Sequence, residues 1–183
     1  LYKKYTSYKK CIPYLILAGF TFFFCWWFVG RHGIFGAKVD WLSQHSVLPD
    51  YFRQQFYATG KIFPEFAPNL GGGQNIYHFA YYGLYSPLIL PSYLLPFVKM
   101  SDYIMVISIT GLTVSVLLFY YWLKSRKMDT GVAFIISLMF LLAGPMIGQY
   151  SGQIMFVDYM PFLCLALIGV DRYFEQEKSG LFT

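Results

Sequence analysis

Four stretches of this chain are apolar for long enough to cross a bilayer, which takes roughly 20 helical residues. They are residues 11–30 ("CIPYLILAGFTFFFCWWFVG"), 103–123 ("YIMVISITGLTVSVLLFYYWL"), 131–148 ("GVAFIISLMFLLAGPMIG") and 154–170 ("IMFVDYMPFLCLALIGV"). That alone excludes a soluble domain. Composition agrees: 13% of the 183 residues are charged, against about 25% in soluble domains. The expected fold is an all-α integral membrane protein, a polytopic helix bundle.

A net charge of +5 in a soluble protein would suggest a nucleic-acid partner. Here the lysines stand beside apolar runs, which fits the positive-inside rule, and no nucleic-acid partner is expected. Residues 1–10 ("LYKKYTSYKK") precede the first apolar run. A signal peptide would have a core of about 7–15 residues ending in small residues. This run is longer and ends in Trp26, Trp27 and Phe28, an interfacial belt. It reads as a first spanning helix with 1–10 in the cytoplasm. Cys11, Cys25 and Cys164 lie in or beside apolar runs, without metal-ligand spacing, and no disulfide is expected.

Residues 83–100 ("GLYSPLILPSYLLPFVKM") are apolar too, but carry Pro87, Pro91 and Pro96. Each proline removes a helix donor and disfavours helix just before it. If this run spanned the membrane, "KSRK" at 124–127 would fall outside, against the charge rule. The preferred threading makes 83–100 interfacial or re-entrant. Residues 31–82 then form a large extracellular loop, 124–130 a cytoplasmic loop, 149–153 an extracellular loop and 171–183 a cytoplasmic segment. Irregular backbone at membrane depth is tolerated where protein buries it or water reaches it.

Within the large loop, Leu48, Tyr51, Phe52 and Phe56 recur at helical spacing. Ser46 and Pro49 suit a helix start and Gly60 its end. The expectation is an amphipathic helix on the membrane surface, with Asp50 and Arg53 paired three residues apart. Asp40 lies just past the first span, among Val39, Trp41 and Leu42, with Gln44 four residues on. A carboxylate there suits a general base or metal ligand; it equally suits a helix cap or a solvated loop acid. Gly71, Gly72 and Gly73 follow in "NLGGGQN". They lack the Lys-Ser/Thr pair and preceding strand of a nucleotide loop. They read as a turn beside a ligand site or as a plain hinge. Asp158 sits inside an apolar run, which marks a functional candidate or the partner of a basic group elsewhere. His78 has no partner at metal spacing.

The order "DWLSQ", "NLGGGQN", "AYYGLYSPLILPSYLLPF" and "MFVDYMPF" resembles the opening of the bacterial YfhO family of membrane proteins. The family shows an Asp after the first helix, a Leu-Gly-x-Gly run, then Tyr-Tyr and Ser-Pro before a Leu-rich stretch. Its later pattern is matched in part, since Phe156 and Val157 stand where tryptophan is often found. The resemblance covers most of 12–175. It implies a polytopic glycosyltransferase of the GT-C fold, with short helices in its large first outer loop. It implies a polyprenyl-phosphate sugar as donor and a cell-wall polymer such as lipoteichoic acid as acceptor. By the same resemblance Asp40 is the catalytic acid, a general base or the ligand of a divalent cation, and Asp158 is the second family acid. Gln44, Arg53, Gly71, Gly72, Gly73 and Asp158 are then the expected substrate-binding residues. Arg53, Lys61 and Arg31 are the cations nearby in sequence for the leaving phosphate, none of them specifically marked. Family members are far longer, so a fragment is expected. The competing expectations are a membrane transporter or lipid flippase, and a non-catalytic scaffold.

Overall fold

A computed structural model describes residues 2–32, 35–177 and 180, with side chains at 10–31, 35–175, 177 and 180. The side chains of Lys3, Lys4, Lys9 and His32, and most of the 178–183 stretch, lie outside the described residues.

Among the described residues six α-helices form in chain order. They are α1 (Tyr2–His32), α2 (Val47–Thr59), α3 (Met100–Ser125), α4 (Thr130–Leu141), α5 (Gly144–Gly152) and α6 (Met160–Gln176). Among the described residues three helical stretches are long and apolar enough to cross a membrane: Lys10–Arg31, Met100–Ser125 and Ile154–Glu175. The pair α4 and α5 makes a fourth if counted as one span, bent by 47°. The helix expected over 131–148 is thus broken in two, and residues 149–152 belong to α5 rather than to a loop. The cause is Gly144-Pro145. Proline cannot donate to the carbonyl four residues back and clashes with it, so the chain leaves the helix at Ala143, in extended conformation, and Pro145 starts α5. Proline suits that first turn. At the other end of α4, Asp129 accepts from the Gly131 and Val132 amides at 2.8 and 3.2 Å. This caps donors that have no partner inside the helix.

Helix α3 is the centre, packed against α1, α4, α5 and α6. The shared core contains Leu17, Leu112, Val116, Leu141, Tyr150 and Val157. Ser108, Ser115 and Ser137 are buried in it. Each hydroxyl donates to the carbonyl four residues back, so a polar group is satisfied while its small size lets helices approach. The Ser115 and Tyr150 hydroxyls meet at 3.0 Å.

One end of the bundle is basic. There Trp122 Nε1 donates to Asp171 at 2.9 Å and Arg126 pairs with the same carboxylate at 3.0 Å. Tyr14 of α1 packs edge-on against Tyr120. The start of α1, the α3–α4 turn and the end of α6 thus share this end.

The opposite end carries residues 35–99, folded over a small core of their own: Leu48, Phe52, Ala67, Ile76, Leu84 and Tyr93. Helix α2 begins after Ser46 and stops at Gly60, whose φ of 71° closes it. Its apolar stripe does not face outward, as the amphipathic reading expected. Leu48 and Phe52 are buried against the chain's own loop. The glycine triplet turns a two-stranded hairpin, β1 (Phe66–Ala67) with β2 (Gln74–Asn75). Gly71, Gly72 and Gly73 have φ of 55°, 80° and 97°. Side chains reach this left-handed region at a cost of roughly 1–2 kcal/mol per residue, so three in succession require glycine.

Candidate functional site

The loop end of the bundle gathers both sequence-marked acids. Asp40 is half-buried and precedes a π-helical turn, Trp41–His45. The Ser46 amide reaches back five residues to the Trp41 carbonyl at 3.1 Å, and the Ser46 hydroxyl bonds the same oxygen at 2.7 Å. Such turns occur mostly as isolated features near functional sites. This one brings Gln44 over Asp40, with Nε2 donating to Oδ1 at 3.4 Å. From the far side Gln153, just after α5, donates its Nε2 to Oδ2 at 3.4 Å. The carboxylate is thus held between two side-chain amides from opposite ends of the chain.

Tyr82 fixes Gln44 in turn. Its hydroxyl donates to Gln44 Oε1, which leaves the amide NH₂ for Asp40. The phenol's pKa is pushed up to about 12, first by burial, then by Tyr81 and the Asp40 charge. It therefore remains a donor at neutral pH. His45 closes the same turn. It is 5% exposed and its ring packs against Trp41 and Tyr82. Burial lowers its pKa from the ordinary 6.5, while Asp40 and a hydrogen bond with the Gly152 backbone pull it back up. Its Nδ1 has no hydrogen-bond partner.

That balance gives a sign. With the folded pKa below 6.5, folded and unfolded chains bind the same number of protons at His45 well above that pH, so its contribution to stability is complete there. Below 6.5 the unfolded chain takes up protons before the folded one does, and stability falls. Amide exchange over 41–59 is expected to quicken as pH drops below about 6.5 after correction for intrinsic exchange, and His45→Gln should flatten the dependence.

Asp158 lies between α5 and α6. Its Oδ2 accepts from Ser86 Oγ at 3.1 Å, and Ser86 Oγ accepts from the Leu88 amide at 3.2 Å. The Ser-Pro of the loop is thereby docked onto the second acid. A cavity of about 20 Å³ lies among His45, Tyr82, Ser86, Ile104, Ile154 and Asp158, enough for about one water. On its other side Asp158 opens to a surface cleft of about 280 Å³, lined also by Tyr81, Gly83, Pro87, Met155 and Phe162.

The other sequence-marked residues fall elsewhere. Arg53 is buried, and its guanidinium is engaged by Asp50 at 2.5 Å and by the Leu95 and Val98 carbonyls at 3.0 and 2.9 Å. It clamps α2 to the 95–98 turn, and it also lines an open cleft of about 470 Å³ together with Asp50, Gln54, Phe97 and Lys99. Gly71, Gly72 and Gly73 turn the hairpin and line neither space at Asp158. Among the described residues no three His, Cys, Asp or Glu side chains converge on a metal position. The groups on Asp40 are amide donors rather than ligands, so these residues do not fit a divalent cation. Gln153 and His45 are not marked by sequence reasoning, and Tyr82 and Ser86 enter it only through the Tyr-Tyr and Ser-Pro motifs, with no tie to Asp40 or Asp158. Gln153 had a signal, because "QYSGQ" is a polar run at the end of an apolar segment.

No curated protein and no solved structure matches the chain. A family model described as bacterial membrane protein YfhO matches residues 10–183, the stretch that holds every span and both acids. The chain belongs to the YfhO family of bacterial membrane proteins.

Proposed function

We propose that this chain forms the acceptor-activating part of a membrane glycosyltransferase. The enzyme moves a sugar from a polyprenyl-phosphate carrier, such as undecaprenyl phosphate, to a cell-wall polymer such as lipoteichoic acid. The observation that carries the reading is Asp40, held by Gln44 and Gln153 at the same end of the bundle as Asp158. The basic end of the bundle faces the cytoplasm, so both acids meet substrates on the outer face.

In the reaction Asp40 takes the proton of an acceptor hydroxyl as that oxygen attacks the anomeric carbon. The bond from that carbon to the phosphate oxygen breaks, the lipid phosphate leaves with the electron pair, and configuration inverts. The open cleft at Asp158 has room for a headgroup beside the bilayer. A departing phosphate needs donors or positive charge. Of the cations nearby in sequence, Lys61 pairs with Glu65 at 3.5 Å, Arg53 is held by Asp50 and two carbonyls, and Arg31 lies over the Trp27 ring.

The break between α4 and α5 favours a second reading, a lipid transporter, because broken spans build transport sites. Those sites lie near the bilayer midplane, whereas the acids here gather at the end of the bundle. The two readings separate in one assay. The full-length protein in vesicles is given a radiolabelled polyprenyl-phosphate sugar and the acceptor polymer. Label bound covalently to polymer is the expected outcome. Labelled lipid that changes leaflet and leaves the polymer unlabelled would establish the transporter and remove the glycosyltransferase.

A further inference from the structure

We propose that the turn-rich segment 83–98 is immersed in the lipid leaflet at the loop end of the bundle, with Leu94, Leu95 and Phe97 against acyl chains. This rests on membrane-family membership and on the segment's own geometry, not on the reaction proposed above.

The argument starts from the backbone. Lipid offers no hydrogen bonds, so irregular chain at membrane depth must satisfy its polar groups within the protein. Most amides of 83–98 meet this demand; those of Tyr85 and Phe97 do not. The amides of Ser86, Ile89, Leu90, Ser92, Leu95 and Val98 each bond a carbonyl three or four residues back. The Leu88 amide bonds Ser86 Oγ. Pro87, Pro91 and Pro96 have no amide hydrogen at all. The same prolines that forbid a helix therefore remove three donors that lipid would leave unpaired.

The carbonyls are treated likewise, by side chains from other elements. Tyr103 Oη of α3 donates to the Leu88 carbonyl at 2.7 Å. Tyr57 Oη of α2 donates to that of Tyr93 at 2.5 Å. Arg53 covers Leu95 and Val98 together. A loop in water has no need of this, since water would satisfy the same oxygens.

The side chains point the other way. Phe97 is 98% exposed and Leu94 82%, and Leu95 is exposed beside them. A contiguous apolar strip of this kind marks a surface that meets another phase. Position names that phase. Helix α3 begins at Met100, three residues past Phe97 or at most about 11 Å of chain. The segment also folds back along α3, with Ile89 packed against Met100 and Ile104. At 26 residues α3 is about 39 Å long, against a hydrocarbon core of about 30 Å. Its first turns therefore lie at the boundary layer. Lys99, exposed between Phe97 and α3, can send its ammonium to headgroups while its stem stays apolar.

The test uses the unmodified full-length protein in phospholipid vesicles, with a phospholipid carrying a photoactivatable diazirine in its acyl chain and adducts located by peptide mass spectrometry. Adducts are expected on Leu94, Leu95 and Phe97 as well as on the spanning helices. Labelled spanning helices with no adduct anywhere in 94–98 would overturn the proposal and assign the strip to water or to a protein partner.

Discussion

Asp40→Asn is expected to lower sugar transfer by about 10²- to 10⁴-fold, the contribution of a positioned general base, while membrane insertion and thermal stability stay near native. Asparagine has the shape of aspartate, and its one carbonyl oxygen keeps the bond from Gln44, whose amide Tyr82 orients; its NH₂ then faces Gln153, whose amide must turn over to accept. What it loses is the capacity to hold the acceptor's proton. Gln44→Ala and Gln153→Ala are expected to cost less, because each removes one orienting bond and leaves the base. Full transfer by the Asn variant, measured in the vesicle assay with the full-length protein, would sink the assignment of Asp40. Loss of protein from the membrane would instead point to a structural acid.

The sequence carried the local features and missed the distant ones. Helix α2 was legible at its end, since Gly60 acts through its own backbone geometry; Ser46 stands at its start but caps nothing there, its hydroxyl bonding the Trp41 carbonyl instead. The pairing of Gln44 with Asp40 was legible too, because four residues is one helical turn. Tyr82 and Gln153 were not: they reach the site across 38 and 113 residues, and no spacing rule spans such distances. The apolar stripe of α2 was visible, but a stripe does not say what covers it. Lipid was the expectation, and the chain's own loop is the finding. The break at Ala143 was hidden for a related reason. Hydropathy is continuous through 131–148, and Gly144-Pro145 interrupts hydrogen bonding without interrupting apolarity. The glycine triplet was legible as a turn, and its place in a two-stranded hairpin follows only from the pairing of Phe66 with Asn75.

Arg53→Leu is expected to destabilise the loop end by about 3 kcal/mol. The side chain is 7% exposed, so its replacement cannot be repaired by water at little cost. Two carbonyls, Leu95 and Val98, lose a charged donor, and such bonds contribute about 1.5–3 kcal/mol each. The Asp50 carboxylate also loses its partner, but it is 30% exposed and keeps its bond from Gln54 at 2.7 Å, so solvent screens much of that loss. Asp50→Asn should accordingly cost about 1 kcal/mol, since Arg53 retains both carbonyls. Arg53→Lys should fall between the two, because an ammonium cannot hold the planar fork that reaches Asp50 and the 95–98 turn together. Amide exchange across 94–99, compared with exchange in α3, reads the effect directly: faster opening of the segment in Arg53→Leu, with α3 unchanged, is the expected pattern. Loss of sugar transfer in Arg53→Leu with native exchange at 94–99 would show the opposite, an arginine that serves a ligand rather than the fold.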